Sequence, residues 1–168
     1  TTLSATTEEL MGAFQIFYRC RDDLQDGARL LGLHLEGPYF SPAQCGAQDP
    51  AQLRNPDPVE CQKILDKCPD IVRWSLAPEL PGALEMGALL SEQGIVAAIG
   101  HSDATYAQVC AAVRAGYTHV THLYSGMSTI TRDHGFRRGG VIEAAYLLPE
   151  LTSEIIADGC HLPAELLQ

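Results

Sequence analysis

The chain has 168 residues, of which 46% are apolar and 19% charged, and a formal net charge of −10. That is enough apolar chain for one sizeable core and too apolar for a disordered segment, while the acidic balance argues against a nucleic-acid or membrane-surface partner. No apolar run has the length of a spanning helix, the N-terminus lacks a signal-peptide pattern, and the six cysteines (Cys20, Cys45, Cys61, Cys68, Cys110, Cys160) form no Cys-x-x-Cys pair, so the expectation is a cytoplasmic protein with reduced thiols.

Thr6-x-x-Glu9 opens the chain as a capping box, and Leu10, Ala13, Phe14 and Phe17 follow at helical spacing, predicting an amphipathic helix to Asp23. Asp26-Gly27 is the turn after it. Arg29–Leu35 reads as the first strand, stopped at once by Glu36-Gly37-Pro38. Ser41–Asp57 is a long polar loop, of the kind that is usually functional or disordered. Asp57-Pro58 with Glu60 starts a second helix, as N-cap and first position. Ile71–Ala77 is a strand, Pro81–Gln93 a helix ended by Gly94, and Ile95–Ile99 an apolar strand leading into Gly100-His101-Ser102-Asp103. Asp103 is read as the cap of a helix to Ala115. Tyr117–Thr121 is a strand ending in His122. A loop with Arg132, Arg137 and Arg138 leads to a short helix near Val141–Leu147. Thr152–Ala157 is the last strand, before Asp158-Gly159-Cys160-His161 and a final helix from Pro163.

Apolar strands alternating with helices at roughly 20–40-residue spacing make βα units, and strands buried on both faces imply a parallel sheet covered by helices. In such a fold the strand ends share one side, the active-site face of a barrel or the crevice of an open sheet. Glu36, Glu79, His101, His122, Asp158 and His161 all follow strands. A carboxylate after a run of leucines costs free energy unless a cation or hydrogen bonds compensate it. Taken singly, Glu36 reads as a cap or salt-bridge partner, and each histidine as a hydrogen-bonded structural residue. Together, one carboxylate and two imidazoles suit zinc or ferrous iron and leave room for water. His34 shares the parity of Glu36 and is expected to support it by hydrogen bonding. His119 stands three residues from His122, predicting a structural residue on the other face.

The motifs His34-Leu-Glu36-Gly-Pro38, Gly100-His101-Ser102, Thr121-His122-Leu-Tyr124 and Ala157-Asp158-Gly-Cys-His161 together resemble the N-acetylglucosamine-6-phosphate deacetylases of the amidohydrolase superfamily, from about Leu30 onward. The resemblance implies an α/β fold, a partial (β/α)8 TIM barrel of the metal-dependent hydrolase type covering about strands 3–7, as a single incomplete segment over 1–168. Barrel strands 1, 2 and 8 and the family's small β-sandwich lie outside it. It implies Glu36, His101 and His122 as ligands of one or two divalent cations, and a phosphorylated amino sugar held by Ala47, Gln48, Ser125, Gly126, Arg132, Asp158 and His161. It also implies a homodimer, and a catalytic aspartate beyond Gln168. Leu123-Tyr124-Ser125-Gly126-Met127 replaces the family's Leu-Tyr/Phe-Asn-Ala-Met, and the stretch to Arg138 departs from the family's Arg before Glu-Pro-Gly, leaving Arg132 or Arg137 for the phosphate. That divergence keeps open an amidohydrolase for a different N-acyl amine or cyclic amide, and the missing strands keep open an inactive segment acting by binding. Two open sheet edges predict that the segment alone aggregates or needs a partner.

Overall fold

The computed structural model describes residues 1–23 and 26–167. Helix α1 (Thr7–Asp23) precedes β1 (Leu33–Glu36), α2 (Pro58–Lys67), β2 (Ile71–Leu76), α3 (Ala83–Glu92), β3 (Val96–Ile99), α4 (Tyr106–Arg114), β4 (Tyr117–Val120), β5 (Thr131–Asp133), β6 (Phe136–Arg138), α5 (Val141–Leu147) and β7 (Thr152–Ser153). Five strands form one sheet in the order β1-β2-β3-β4-β7, every neighbouring pair parallel. The βα alternation is therefore realised as a parallel α/β sheet.

Local chemistry accounts for the helices. Thr6 and Glu9 cap α1 reciprocally, the Thr6 N–H donating to Glu9 and the Glu9 N–H to Thr6 Oγ1. Asp57 accepts the Glu60 N–H at 2.9 Å in front of Pro58. Helix α4 differs from expectation, for Thr105 is its cap, in a reciprocal box with Gln108. Asp103 is engaged elsewhere, its N–H donating to Glu79 and its carboxylate accepting from Gln44.

One sheet face is apolar. Leu35, Trp74, Leu76, Ala97, Ile99 and Val120 have no exposed surface and join the core with Leu10, Phe14, Ile64, Met86, Leu90 and Val109 of the helices. Burying a Leu- or Ile-sized side chain is worth about 1.5–3 kcal/mol each, so this face holds the sheet to its helices. The opposite face corrects the expectation of strands apolar on both sides. Register puts His34 beside Arg73, Glu36 beside Ser75, and Ala98 beside His119, so the second face carries polar groups around a small-residue strip of Ala98 and Gly100.

Other boundaries shift for identifiable reasons. Residues 29–31 lie outside the sheet, with Leu31 79% exposed, because pairing begins where the Leu33 N–H meets Asp70 O. The final strand shrinks to two residues, since β4 gives way after Val120 to a left-handed turn at His122. The arginine loop is an antiparallel hairpin, β5–β6, with Arg132 opposite Arg137. The last helix is a single 3-10 turn, Ala164–Leu166. The Ser41–Asp57 loop is ordered by two 3-10 turns, at Pro42–Gln44 and Pro50–Gln52. Residues 1–4 run along the free edge of β1: the Thr2 N–H donates to His34 O and the Glu36 N–H to Thr2 Oγ1.

Candidate metal centre

Glu36 ends β1, while His101 and His122 each stand two residues beyond their strands, after Gly100 and Thr121. Both histidines adopt left-handed backbone, φ +44° and +36°. For a residue with a bulky side chain this costs on the order of 1–3 kcal/mol and is typical of functional turns. It also answers the parity argument about His119. The turn at His122 breaks strand alternation, so His119 shares the polar face with His34 and Glu36 rather than opposing it. There it accepts from Arg73 on Nε2 at 3.2 Å and donates from Nδ1 to Thr152 at 2.8 Å, a structural role as expected.

One ligand atom from each of Glu36, His101 and His122 lies within 4.8 Å of the others. His101 Nε2 is 3.3 Å and His122 Nε2 3.4 Å from Glu36 Oε1, and the two rings meet edge to face at 4.9 Å. His101 Nδ1 lies 2.8 Å from Gln44 O. A carbonyl can only accept, so Nδ1 carries a hydrogen, and Nε2 is the nitrogen turned toward the carboxylate oxygen. An imidazole nitrogen and a carboxylate oxygen facing each other in a half-buried site suit a shared cation or proton. A second pointer is His122 Nδ1, buried without a hydrogen-bond partner among the described residues. The donor set of two imidazoles and one carboxylate fits a borderline divalent ion.

Electrostatics agree. Burial alone would raise the Glu36 pKa, but the two imidazoles outweigh it and hold the carboxyl well below its ordinary range. Burial opposes protonation of His122, yet Glu36 outweighs it and pushes the imidazole up. The site is built to place a positive charge beside Glu36.

The surroundings hold these side chains still. The Phe40 ring lies 4.5 Å from that of His101. A Cβ on Gly46 or Gly126 would meet the His101 ring at 3.2 and 2.9 Å, so glycine is needed at both contacts, each at positive φ. Glu79 fastens the turn bearing His101, accepting from Ser102 Oγ at 2.7 Å and from the Asp103 N–H at 2.6 Å; burial pushes its carboxyl up despite those bonds. Below the trio, Arg73 donates to His34 Nδ1 at 2.8 Å, His34 Nε2 donates to Ser75 at 2.6 Å, and Ser75 meets Thr121 at 2.7 Å. Arg73 also pairs with Glu154 at 2.7 Å. Buried and beside that guanidinium, His34 is depressed to about 4 and stays neutral. Among the described residues its side chain hydrogen-bonds to Arg73 and Ser75 on the neighbouring strand, not to Glu36 itself as expected. Arg73 and Glu154 went unrecognised in the sequence, although an arginine at the parity of Ser75 in Ile71–Leu76 was a usable signal.

The other candidate residues divide into two groups. Gly46 and Gly126, the chain neighbours of Ala47 and Ser125, lie against the His101 ring, and the Ser125 N–H closes a turn on His122 O. Gln48 is buried, its Nε2 donating to Glu36 Oε1 at 3.1 Å. Among the described residues no hydrogen bond joins Arg132, Asp158 or His161 to the trio. Arg132 is exposed on the hairpin, whereas Arg138 pairs with Asp133. Asp158 accepts the Cys160 and His161 N–H groups, which hold it down at about 2, and binds His161 Nδ1 at 2.8 Å. His134 pairs with Asp133.

Comparison with known proteins bears on this arrangement. No protein-family model matches the chain. It is 36% identical over 163 residues to the N-acetylglucosamine-6-phosphate deacetylase of Vibrio furnissii, covering 96% of this chain and 40% of that protein. It is 38% identical over 136 residues to the enzyme of the same name from Bacillus subtilis, covering 80% and 33%. It is also 34% identical over 164 residues to the N-acetylgalactosamine-6-phosphate deacetylase of Escherichia coli O157:H7, covering 96% and 42%. The crystal structure of the Mycobacterium smegmatis N-acetyl-D-glucosamine-6-phosphate deacetylase superposes with a TM-score of 0.87 at 36% identity, over 98% of this chain and 42% of that one. An aspartate-to-alanine variant of that enzyme in complex with N-acetyl-D-glucosamine-6-phosphate gives 0.86. The chain thus spans about 40% of the length of the relatives it matches. On sequence and fold alike, this chain matches one portion of the N-acetylglucosamine-6-phosphate deacetylases.

Proposed function

We propose that this chain supplies the divalent-metal site and part of the sugar-phosphate pocket of a hydrolase that deacetylates N-acetylglucosamine-6-phosphate, giving glucosamine-6-phosphate and acetate. The observation behind the reading is the convergence of Glu36, His101 and His122 on two strained turns and one strand end. Its five parallel strands are read as an arc of a (β/α)8 barrel, with the polar face inward. Arg73 supports this by reaching from β2 past β3 to His119 and Glu154, a span that suits a concave face.

A divalent ion of the zinc or ferrous type held by this trio would lower the pKa of water and polarise the acetyl carbonyl. The chain's own groups have separable tasks. Gln44 O fixes the His101 tautomer, and Glu79 fixes the turn that carries it. Ser125 and Gly126 present backbone beside the site, while Asp158 orients His161 toward the sugar hydroxyls. Arg132, with Arg137 directly opposite, is the phosphate-binding candidate through a charge-assisted contact. The proton-transferring aspartate is placed beyond Gln168, a reading supported by the aspartate variant in which the mycobacterial neighbour was captured with its substrate. Six unpaired thiols among the described residues suit a reducing cytoplasm. Exposed Ile130, Phe136, Tyr146 and Leu147 around the hairpin suit a homodimer contact.

A second reading has its own observation. Relatives acting on the galactosamine epimer match nearly as well, and the Ser125–Arg138 stretch is where the sequence departs from the family. Acetate release should be measured from N-acetylglucosamine-6-phosphate, N-acetylgalactosamine-6-phosphate and unphosphorylated N-acetylglucosamine. Preference for the first supports the main reading, and preference for the second moves the assignment to the epimer. Indifference to phosphate would contradict both.

A further inference from the structure

Gln48 was expected to touch the sugar, but its side chain is already engaged at both ends. It is 5% exposed, donates from Nε2 to Glu36 Oε1 at 3.1 Å, and accepts the Ser4 N–H on Oε1 at 2.8 Å. The amide orientation is fixed by its neighbours, since a carboxylate can only accept and a backbone N–H can only donate. Its backbone is fixed as well: the Gln48 N–H donates to Cys45 O, and Cys45 Sγ donates to Gln48 O at 3.0 Å.

Glu36 needs such a support. Both imidazole nitrogens and the Gln48 amide converge on the same oxygen, Oε1. A carboxylate oxygen has two lone pairs, so it can accept from Gln48 with one and face a cation with the other. Without the amide the carboxyl group is free to turn about its last bond, which is a broad torsion. The edge segment of residues 1–4 completes the support. Its Thr2 holds the Glu36 backbone, and its Ser4 holds the far end of Gln48.

We propose that Gln48 is a positioning residue for Glu36, fixing the carboxylate so that the trio binds its ion, and that it is not a sugar contact. The inference rests on the metal-site reading above. Partners of this kind are typically worth 10–100-fold in metal affinity.

The test is titration with Co2+, followed by its visible absorption, for the wild-type protein and for Gln48→Met, Glu36→Gln and Asp49→Ala. Asp49 caps the neighbouring 3-10 turn through the Ala51 N–H, so its variant perturbs the loop without touching Glu36. Thermal unfolding and circular dichroism of each variant monitor folding. The expectation is a 10–100-fold loss of Co2+ affinity with an altered spectrum in Gln48→Met, no binding in Glu36→Gln, and wild-type behaviour in Asp49→Ala. Wild-type affinity and spectrum in Gln48→Met would overturn the proposal and leave the metal site standing. An equal loss in Asp49→Ala would also overturn it, since the loop rather than the amide would then be responsible. A wild-type protein that takes up no Co2+ would remove the metal reading and this proposal together.

Discussion

Replacing Arg73 by leucine removes one guanidinium from three partners at once. Arg73 donates to His34 Nδ1 at 2.8 Å, to His119 Nε2 at 3.2 Å and to Glu154 at 2.7 Å, tying β1, β4 and the end of β7 to β2. The Arg73 and Glu154 side chains are 25% and 35% exposed, so the full cost of breaking a buried pair does not apply. Hydrogen bonds to charged groups contribute about 1.5–3 kcal/mol, and solvent screening reduces the ion-pair part. A net loss of about 2–3 kcal/mol is expected, and for a domain of this size each kcal/mol moves Tm by about 2–4 °C, giving a fall of about 4–12 °C. Thermal unfolding by circular dichroism measures it. The double variant Arg73→Leu/Glu154→Leu should recover part of the loss, because the stranded carboxylate is gone. A single variant within about 1 °C of wild type would show that this network does not bind the strands together.

Three further outcomes follow from individual side chains. Glu60 is held at about 2, chiefly by Arg54, with Thr7 and Tyr39 assisting against burial. Its folded pKa lies below the ordinary 4.5, so its stabilisation is complete above about pH 4.5 and fades as pH falls toward 2; Glu60→Gln should flatten denaturant-melt stability over that window, by about 2–3 kcal/mol at its upper end. Thr105→Ala removes the reciprocal cap of α4 and should cost about 1 kcal/mol in urea unfolding, while an unchanged midpoint would discount the cap. Gly87→Ala drives a Cβ into the Tyr117 ring, whose Cδ2 would stand only 2.7 Å away. Overpacking there should cost about 1–3 kcal/mol, readable through the fluorescence of the single tryptophan, Trp74.

The sequence was most informative where a local rule suffices. The Thr6-x-x-Glu9 capping box, Pro58, Gly94 and the alternation of apolar runs marked most of α1 through β4, because each acts within a few residues. The trio was legible as strand-end chemistry, since parallel βα units put all such ends on one side. Three things were not. The left-handed turns at His101 and His122 come from the tertiary fold, so strand parity misassigned His119. The hairpin at Thr131–Arg138 lacks alternation and was read as a loop. The edge segment of residues 1–4 pairs with residues more than thirty positions away, a contact no local pattern announces. Gln48 shows the same limit: its motif suggested a ligand contact, whereas both ends of its amide are taken by Ser4 and Glu36.

The central claim is that Glu36, His101 and His122 form one metal site. Elemental analysis of the purified protein, beside Glu36→Gln, His101→Ala and His122→Ala, tests it most directly. Stoichiometric zinc or iron in the wild type, lost in each variant while the fold persists by circular dichroism, is the result expected. A wild type without bound metal after incubation with Zn2+ or Fe2+, or variants that retain it in full, would contradict the account.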